Sequence, residues 1–272
     1  MTENINLKKK TDFKSSVSVT GENKQWDKDN QAWWDWYVSL ADNSNSKTKE
    51  VLLELPEPPN IKDASKIDLK QQLSEPYNLT TQDISNFQKN GFIKLKNVLT
   101  PDAIQLLRHE ILSLLKKTFE NYSENKKNRF LSLEMMWLKN TVIKEFVLSS
   151  RIAKICAELL SVKKIRLYHD NALVKESGCG RTPWHYDDHH FPLETNDVVT
   201  AWIPAQAIPI EMGPLTFAKP LEVYKLVENI EFNEFDTSYD KKIIDIFKKE
   251  QVSIVEEPFE LGEVSFHHNL SF

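Results

Sequence analysis

From about residue 165 onward the chain is cut into short β-branched or aromatic runs, most of them closed by glycine or proline turns. They read KKIRLYHDNALVK, VVTAWIPAQAI, GPLTFAK, VSIVEE and GEVSFHH. Strands this short and this regularly spaced predict an all-β sandwich or barrel. A charged stretch, residues 225–250, interrupts them and turns helical near 241–249, as an insertion between strands would. Upstream the pattern is helical. Thr80 or Thr81 can cap a helix that Gly91 stops, and Phe92, Ile93, Leu95 and Val98 then give a strand. Thr100 followed by Pro101 opens a second helix, and residues 143–160 read as a third. The fold class expected is mainly β with a helical buttress (α+β).

The domain expected to carry function spans 79–272. Residues 1–78 divide differently. Residues 1–22 are Lys-, Asn- and Ser-rich and are expected to be disordered. In WDKDNQAWWDWYVSLAD, Trp26, Trp33 and Tyr37 fall at offsets of seven and four, a helical stripe. Packing of this helix on the main domain is its plain reading. An oligomer contact or a lid is the sharper one. Residues 42–78 carry Pro56, Pro58, Pro59 and Pro76 and read as a linker or an extended strap over a surface.

Composition excludes several classes. A net charge of −5, with 35 basic residues scattered among 40 acidic ones, argues against nucleic acid as partner. Two cysteines, Cys156 and Cys179, with no CxxC spacing, argue against a disulfide framework or a thiolate zinc site. No signal peptide or membrane-length apolar run is evident, so a cytoplasmic protein acting on a small molecule, away from membranes, is expected.

The segment RTPWHYDDHHFPL is the richest in chemistry. His185 and Asp187 are two apart, so on a strand they share one face. An imidazole and a carboxylate side by side, joined by a distant histidine, make the facial triad that holds non-haem Fe(II) and leaves positions open. A 2-oxo acid can chelate through two of those positions and O₂ takes the third. His189 has the same strand parity, which keeps a zinc hydrolase built on His185, Asp187 and His189 as an alternative. Asp188, His189 and His190 otherwise read as a polar loop at a pocket mouth.

Five segments in order then resemble the phytanoyl-CoA dioxygenase family of Fe(II)/2-oxoglutarate oxygenases: ISNFQKNGFIKLKNVLT, RLYHDNALVK, PWHYD, TAWIPAQAIPIEMGPLTF and LGEVSFHHNLSF. The resemblance covers residues 79–272. It implies a double-stranded β-helix (jelly-roll) core and a dioxygenase using Fe(II), 2-oxoglutarate and O₂, with hydroxylation of a small metabolite or acyl substrate as the default outcome. It makes His185 and Asp187 metal ligands. Trp202, Lys175 and Thr182 fall where the family lines the 2-oxoglutarate pocket, although Trp202 reads equally as a core aromatic. Because Asp187 is a carboxylate, the halide-binding variant of the site is not expected. Counted from Gly262, the family's third ligand falls just after Phe272, so a C-terminally truncated member is expected. His268 or His267 as a substitute third ligand, or an inactive jelly-roll binding module, are the alternatives. Of the two histidines, His268 has the family's pocket-wall position and His267 the opposite parity, facing out.

Overall fold

The computed structural model describes residues 24–44, 68–119 and 129–272, with residues 24–31 as backbone alone. The tail over 1–22, the side chain of Trp26 of the aromatic stripe, and Pro56, Pro58 and Pro59 of the strap lie outside what is described.

Local sequence signals set most element ends. Helix α3 (Thr81–Asn90) begins with a full capping box: the Thr80 hydroxyl accepts from the Asp83 amide while Asp83 accepts from the Thr80 amide. It ends at Gly91, whose φ of 82° is left-handed and suits glycine. Strand β1 (Phe92–Leu95) follows directly. Helix α4 (Pro101–Thr118) starts from the Thr100 cap with proline in its first turn. The single helix expected over 143–160 is two, α5 (Thr141–Val147) and α6 (Ser150–Leu159). Ser149 divides them, because its hydroxyl caps the second helix at Ile152 and donates to Leu73 O at 2.9 Å. Helices α1 (Lys24–Ser39), α2 (Leu69–Ser74) and α7 (Ser238–Lys249) complete the helical set.

The strands are four or five residues long and pair into three small antiparallel sheets. Strand β7 (Val264–His268) is central in the first, between β1 and β4 (Val199–Trp202). Strands β2 (Phe130–Glu134) and β3 (Asn171–Lys175) form the second, β5 (Thr216–Lys219) and β6 (Ser253–Glu256) the third. Helix outweighs strand among the described residues, so the content is mixed α/β where mainly β was expected. The strand-like texture extends well past the hydrogen-bonded ladders: only residues 171–175 of KKIRLYHDNALVK pair as strand.

The sheet β1-β7-β4 separates two environments through simple alternation. Leu95, Val264 and Phe266 point to one face and bury in the main core with Phe87, Ile104, Phe146 and Ile155 from the helices. Phe92, Thr200, Ser265 and His267 occupy the other face in register, with Phe92 opposite His267 and His267 opposite Thr200. A second core cluster holds Tyr186, Tyr239, Ile243, Phe247 and Phe272. It gathers α7 beneath the His185–Asp187 segment, where Trp184 packs on Phe247 at 5.2 Å. Among the described residues no helix is long and apolar enough to cross a membrane.

Candidate active site

Asp187 is the centre of the arrangement. His185 Nε2 lies 3.9 Å from its Oδ1, and His267 Nε2 lies 3.5 Å from its Oδ2. Thr200 on β4 donates its hydroxyl to Oδ2 at 2.8 Å. Burial opposes ionisation of this carboxyl, but the hydrogen bond from His267, the charges of His267 and His185, and the Thr200 hydroxyl outweigh it. The group is therefore held below the usual carboxylate range and stays ionised.

The histidine beside it is oriented. His185 Nδ1 lies 2.9 Å from Pro183 O, so Nδ1 carries the proton and donates to that carbonyl. With Nδ1 committed to that carbonyl, Nε2 is the nitrogen turned toward Asp187, the orientation a metal ligand needs. His267 is shielded, its side chain only 12% exposed, and its buried Nδ1 has no hydrogen-bond partner. Two imidazoles and a carboxylate thus face one another, which suits a divalent metal of intermediate softness. As they stand, no three His, Cys, Asp or Glu among the described residues close into a metal-holding set.

The segment departs from the expected strand in a useful way. Residue 186 is extended, but residues 187–189 form a 3₁₀ turn. That turn breaks the strand parity that would have set His189 beside Asp187, and the His189 ring instead packs on Tyr186 at 3.8 Å. The turn is tied to the end of β7: Asp188 N donates to Asn269 O at 3.0 Å, and Asn269 Nδ2 donates to Asp188 Oδ1 at 2.9 Å.

The two adjacent histidines of β7 take the opposite roles to those expected. Phe266 must bury among the helices, so alternation sends His267 to the Asp187 side and His268 to the helical side. There His268 lies 6.4 Å from the Phe87 ring, and its Nδ1 accepts from the Leu270 amide at 3.2 Å. Its second nitrogen then carries the proton and has no lone pair to offer. The outward His267 and pocket-wall His268 of the sequence pattern are corrected by this register.

The co-substrate candidates make contacts other than with His185 and Asp187. Trp202 packs on Phe259 at 5.0 Å, Lys175 sits over the Phe130 ring at 5.2 Å, and Thr182 offers its carbonyl to Arg181. No hydrogen bond or ring contact joins any of the three to His185 or Asp187 among the described residues.

A residue that sequence reasoning did not assign to the site is Tyr37 of α1. Its ring is 5.8 Å from that of His185, and its hydroxyl lies 3.2 Å from His190 Nε2. Burial, reinforced by the Asp187 charge, pushes this phenol far above its ordinary value, and burial pushes His190 down to about 4. A protonated tyrosine donating to a neutral imidazole follows. The helix is fastened by Asp240 of α7, which is fully buried. Asp240 accepts from the Asp42 amide at 2.7 Å and the Trp184 amide at 2.7 Å, and it pairs with Arg181. The helical stripe was the signal that pointed to α1. Thr200 was legible only as the residue alternating with Trp202.

Residues 87–219 match the family model described as phytanoyl-CoA dioxygenase. This region is a phytanoyl-CoA dioxygenase-family domain. Solved structures with the same fold include a non-heme alpha ketoglutarate dependent carbocyclase, SnoK, from nogalamycin biosynthesis. It is 20% identical at a TM-score of 0.56, over 73% of this chain and 79% of that one. The epimerase SnoN, solved with Fe3+, alpha ketoglutarate and nogalamycin RO, is 18% identical at 0.52, over 70% and 74%. EctD from S. alaskensis, with bound Fe, is 15% identical at 0.53, over 72% and 71%. The sequence finds no match among curated proteins. The phytanoyl-CoA dioxygenase domain begins inside α3 and ends with β5, so it contains His185, Asp187 and Thr200. His267 and Tyr37 lie outside the matched stretch.

Proposed function

We propose that this chain is an Fe(II)- and 2-oxoglutarate-dependent oxygenase that hydroxylates a small molecule at His185 and Asp187, on a jelly-roll core. The observation that carries the reading is the ionised Asp187 carboxylate with an imidazole at each oxygen. The family match and the iron- and alpha ketoglutarate-containing fold neighbours support it. Fe(II), when bound, supplies the redox chemistry that couples decarboxylation of 2-oxoglutarate to substrate oxidation by O₂.

The chain's own residues prepare that chemistry. Pro183 O fixes the His185 tautomer, and Thr200 holds the Asp187 carboxylate in place. His267 is favoured over His268 as the third donor, because its Nε2 faces Asp187. Trp202, Lys175 and Thr182 remain the proposed contacts for 2-oxoglutarate. Tyr37 stands over His185 and excludes water from that side.

Equilibrium dialysis against Fe(II) under argon, followed by succinate measurement in air, tests the reading. The wild-type chain should bind one Fe(II) and form succinate, and His185→Ala should do neither. Iron-dependent succinate formation that survives His185→Ala would refute the assignment. One observation favours a second reading, a binding module without metal: the three donors do not close into a metal-holding set as they stand. Under that reading no Fe(II) is retained.

A further inference from the structure

A cavity of about 670 Å³ opens between α1, the 189–190 corner and the loop over 228–234. That volume is typical of a site for a small metabolite. Its walls are aromatic. Trp33 stacks on Tyr37 at 5.1 Å and 12°, Trp36 lies 5.8 Å from Trp33 at 60°, and Phe232 stacks on Tyr37 at 6.5 Å. The Trp36 indole N–H donates to Glu234 O at 2.9 Å, joining the helix wall to the loop wall. Three carboxylates, Glu228, Glu231 and Glu234, also line the cavity at intervals of three along the loop, and no lysine or arginine does.

These two features specify a charge. Tyr37 is buried beneath Trp33, so the attraction comes from the indoles, whose ring faces carry negative quadrupole density and attract a cation placed over them. A quaternary or protonated amine has apolar carbon around its charge, so it can leave water for such an enclosure more readily than a small bare ion. The carboxylates add a field of the same sense, which draws cations in and turns anions away. A neutral apolar ligand would use the rings but gain nothing from the three glutamates.

The cavity adjoins the candidate iron site. Tyr37 and His190 line its wall, and the His190 ring is 5.7 Å from that of His185. We propose that the cavity between α1 and the 228–234 loop binds the alkylammonium group of a small cationic substrate and so presents the carbons beside it to the His185–Asp187 centre. This rests on the oxygenase reading for its chemistry and on the aromatic and acidic lining for its specificity.

The metal-free full chain, titrated with choline, ethanolamine and 3,3-dimethylbutan-1-ol and followed by calorimetry, tests it. Choline has the quaternary charge, ethanolamine the protonated amine, and the alcohol is the neutral isostere of choline. One or both cations should bind saturably and at least about tenfold more tightly than the alcohol, and the better one identifies the headgroup. Trp33→Ala should weaken that binding at least about tenfold. So should the combined exchange Glu228→Gln, Glu231→Gln and Glu234→Gln, whose residues are exposed and whose far-ultraviolet dichroism should match wild type. His185→Ala should leave it within about twofold. Equal binding of the alcohol, no saturable binding of either cation, or full retention of binding in both cavity variants would overturn the inference. Cation binding without iron-dependent succinate formation would remove the oxygenase reading and leave the cation site. Succinate formation without cation binding would do the reverse.

Discussion

Thr200 and Asp187 are joined by a 2.8 Å hydrogen bond from the strand hydroxyl to the carboxylate oxygen that His267 also faces. Thr200 thereby sets the rotation of the carboxylate. Thr200→Val keeps the shape of the side chain and removes the donor. Loss of such a supporting contact costs about tenfold or more in metal affinity. Fe(II) dissociation constants measured under argon should show that fall with little change in melting temperature. Unchanged affinity would mean that Asp187 is held by other contacts.

His267 and His268 should separate cleanly. His267→Ala removes the imidazole that faces Asp187, and Fe(II) affinity should fall by about 10- to 100-fold. His268→Ala opens a hole beside Phe87 and leaves the Leu270 amide without its acceptor. That change should cost about 1–2 kcal/mol of stability and leave metal affinity within about twofold. A urea titration and a metal titration of each variant decide it. The reverse pattern would show that β7 pairs in another register.

Asp240 is buried completely and takes two backbone amides as well as the Arg181 guanidinium. Asp240→Asn cancels the charge pairing inside an apolar cluster and turns one acceptor into a donor. About 3 kcal/mol of stability should be lost. Hydrogen exchange should show the amides of α1 and of residues 182–187 losing protection together. Loss confined to α7 would mean that Asp240 does not couple these segments.

Cys156 supplies a pH test far from the site. Burial in α6 pushes its thiol from 9.0 up to about 12. Below pH 9 the thiol is protonated in both the folded and the unfolded chain and has no effect on pH dependence. Above pH 9 the unfolded chain releases this proton and the folded chain retains it, so stability falls as pH rises toward 12. The slope from this one group is about 1 kcal/mol per pH unit. Cys156→Ala lacks the effect, so its stability deficit relative to wild type should shrink between pH 8 and pH 10 in urea titrations. A constant deficit would show that the thiol ionises normally.

Local signals were the legible part of this fold. The Thr80 capping box, Gly91, the Thr100–Pro101 start and the helix near 241–249 all follow from chemistry within a few residues of each terminus. The pairing of His185 with Asp187 was also readable, although a 3₁₀ turn and not a continued strand makes it. What was not readable depends on register and on distant packing. The facing of His267 and His268 follows from Phe266 entering the helical core, which no pattern inside HHNLSF records. Tyr37 reaches the site because Asp240, 198 residues beyond Asp42, fixes the end of its helix. The excess of helix over strand escaped notice because apolar runs suited to strands are here only partly hydrogen-bonded into sheets.

The central position of β7 has a consequence for how damage to this protein would look. The strand is bonded on both sides, and its alternate residues serve two different ends: Phe266 fills the core and His267 faces Asp187. A slip of one residue along either neighbour would exchange those faces, exposing a phenylalanine to the centre and placing an imidazole among leucines. Injury to packing and injury to chemistry therefore share one mechanical origin. Substitutions on the helical face, remote from Asp187, would register first as a misaligned centre, with the contacts to Asp187 lost before the chain unfolds.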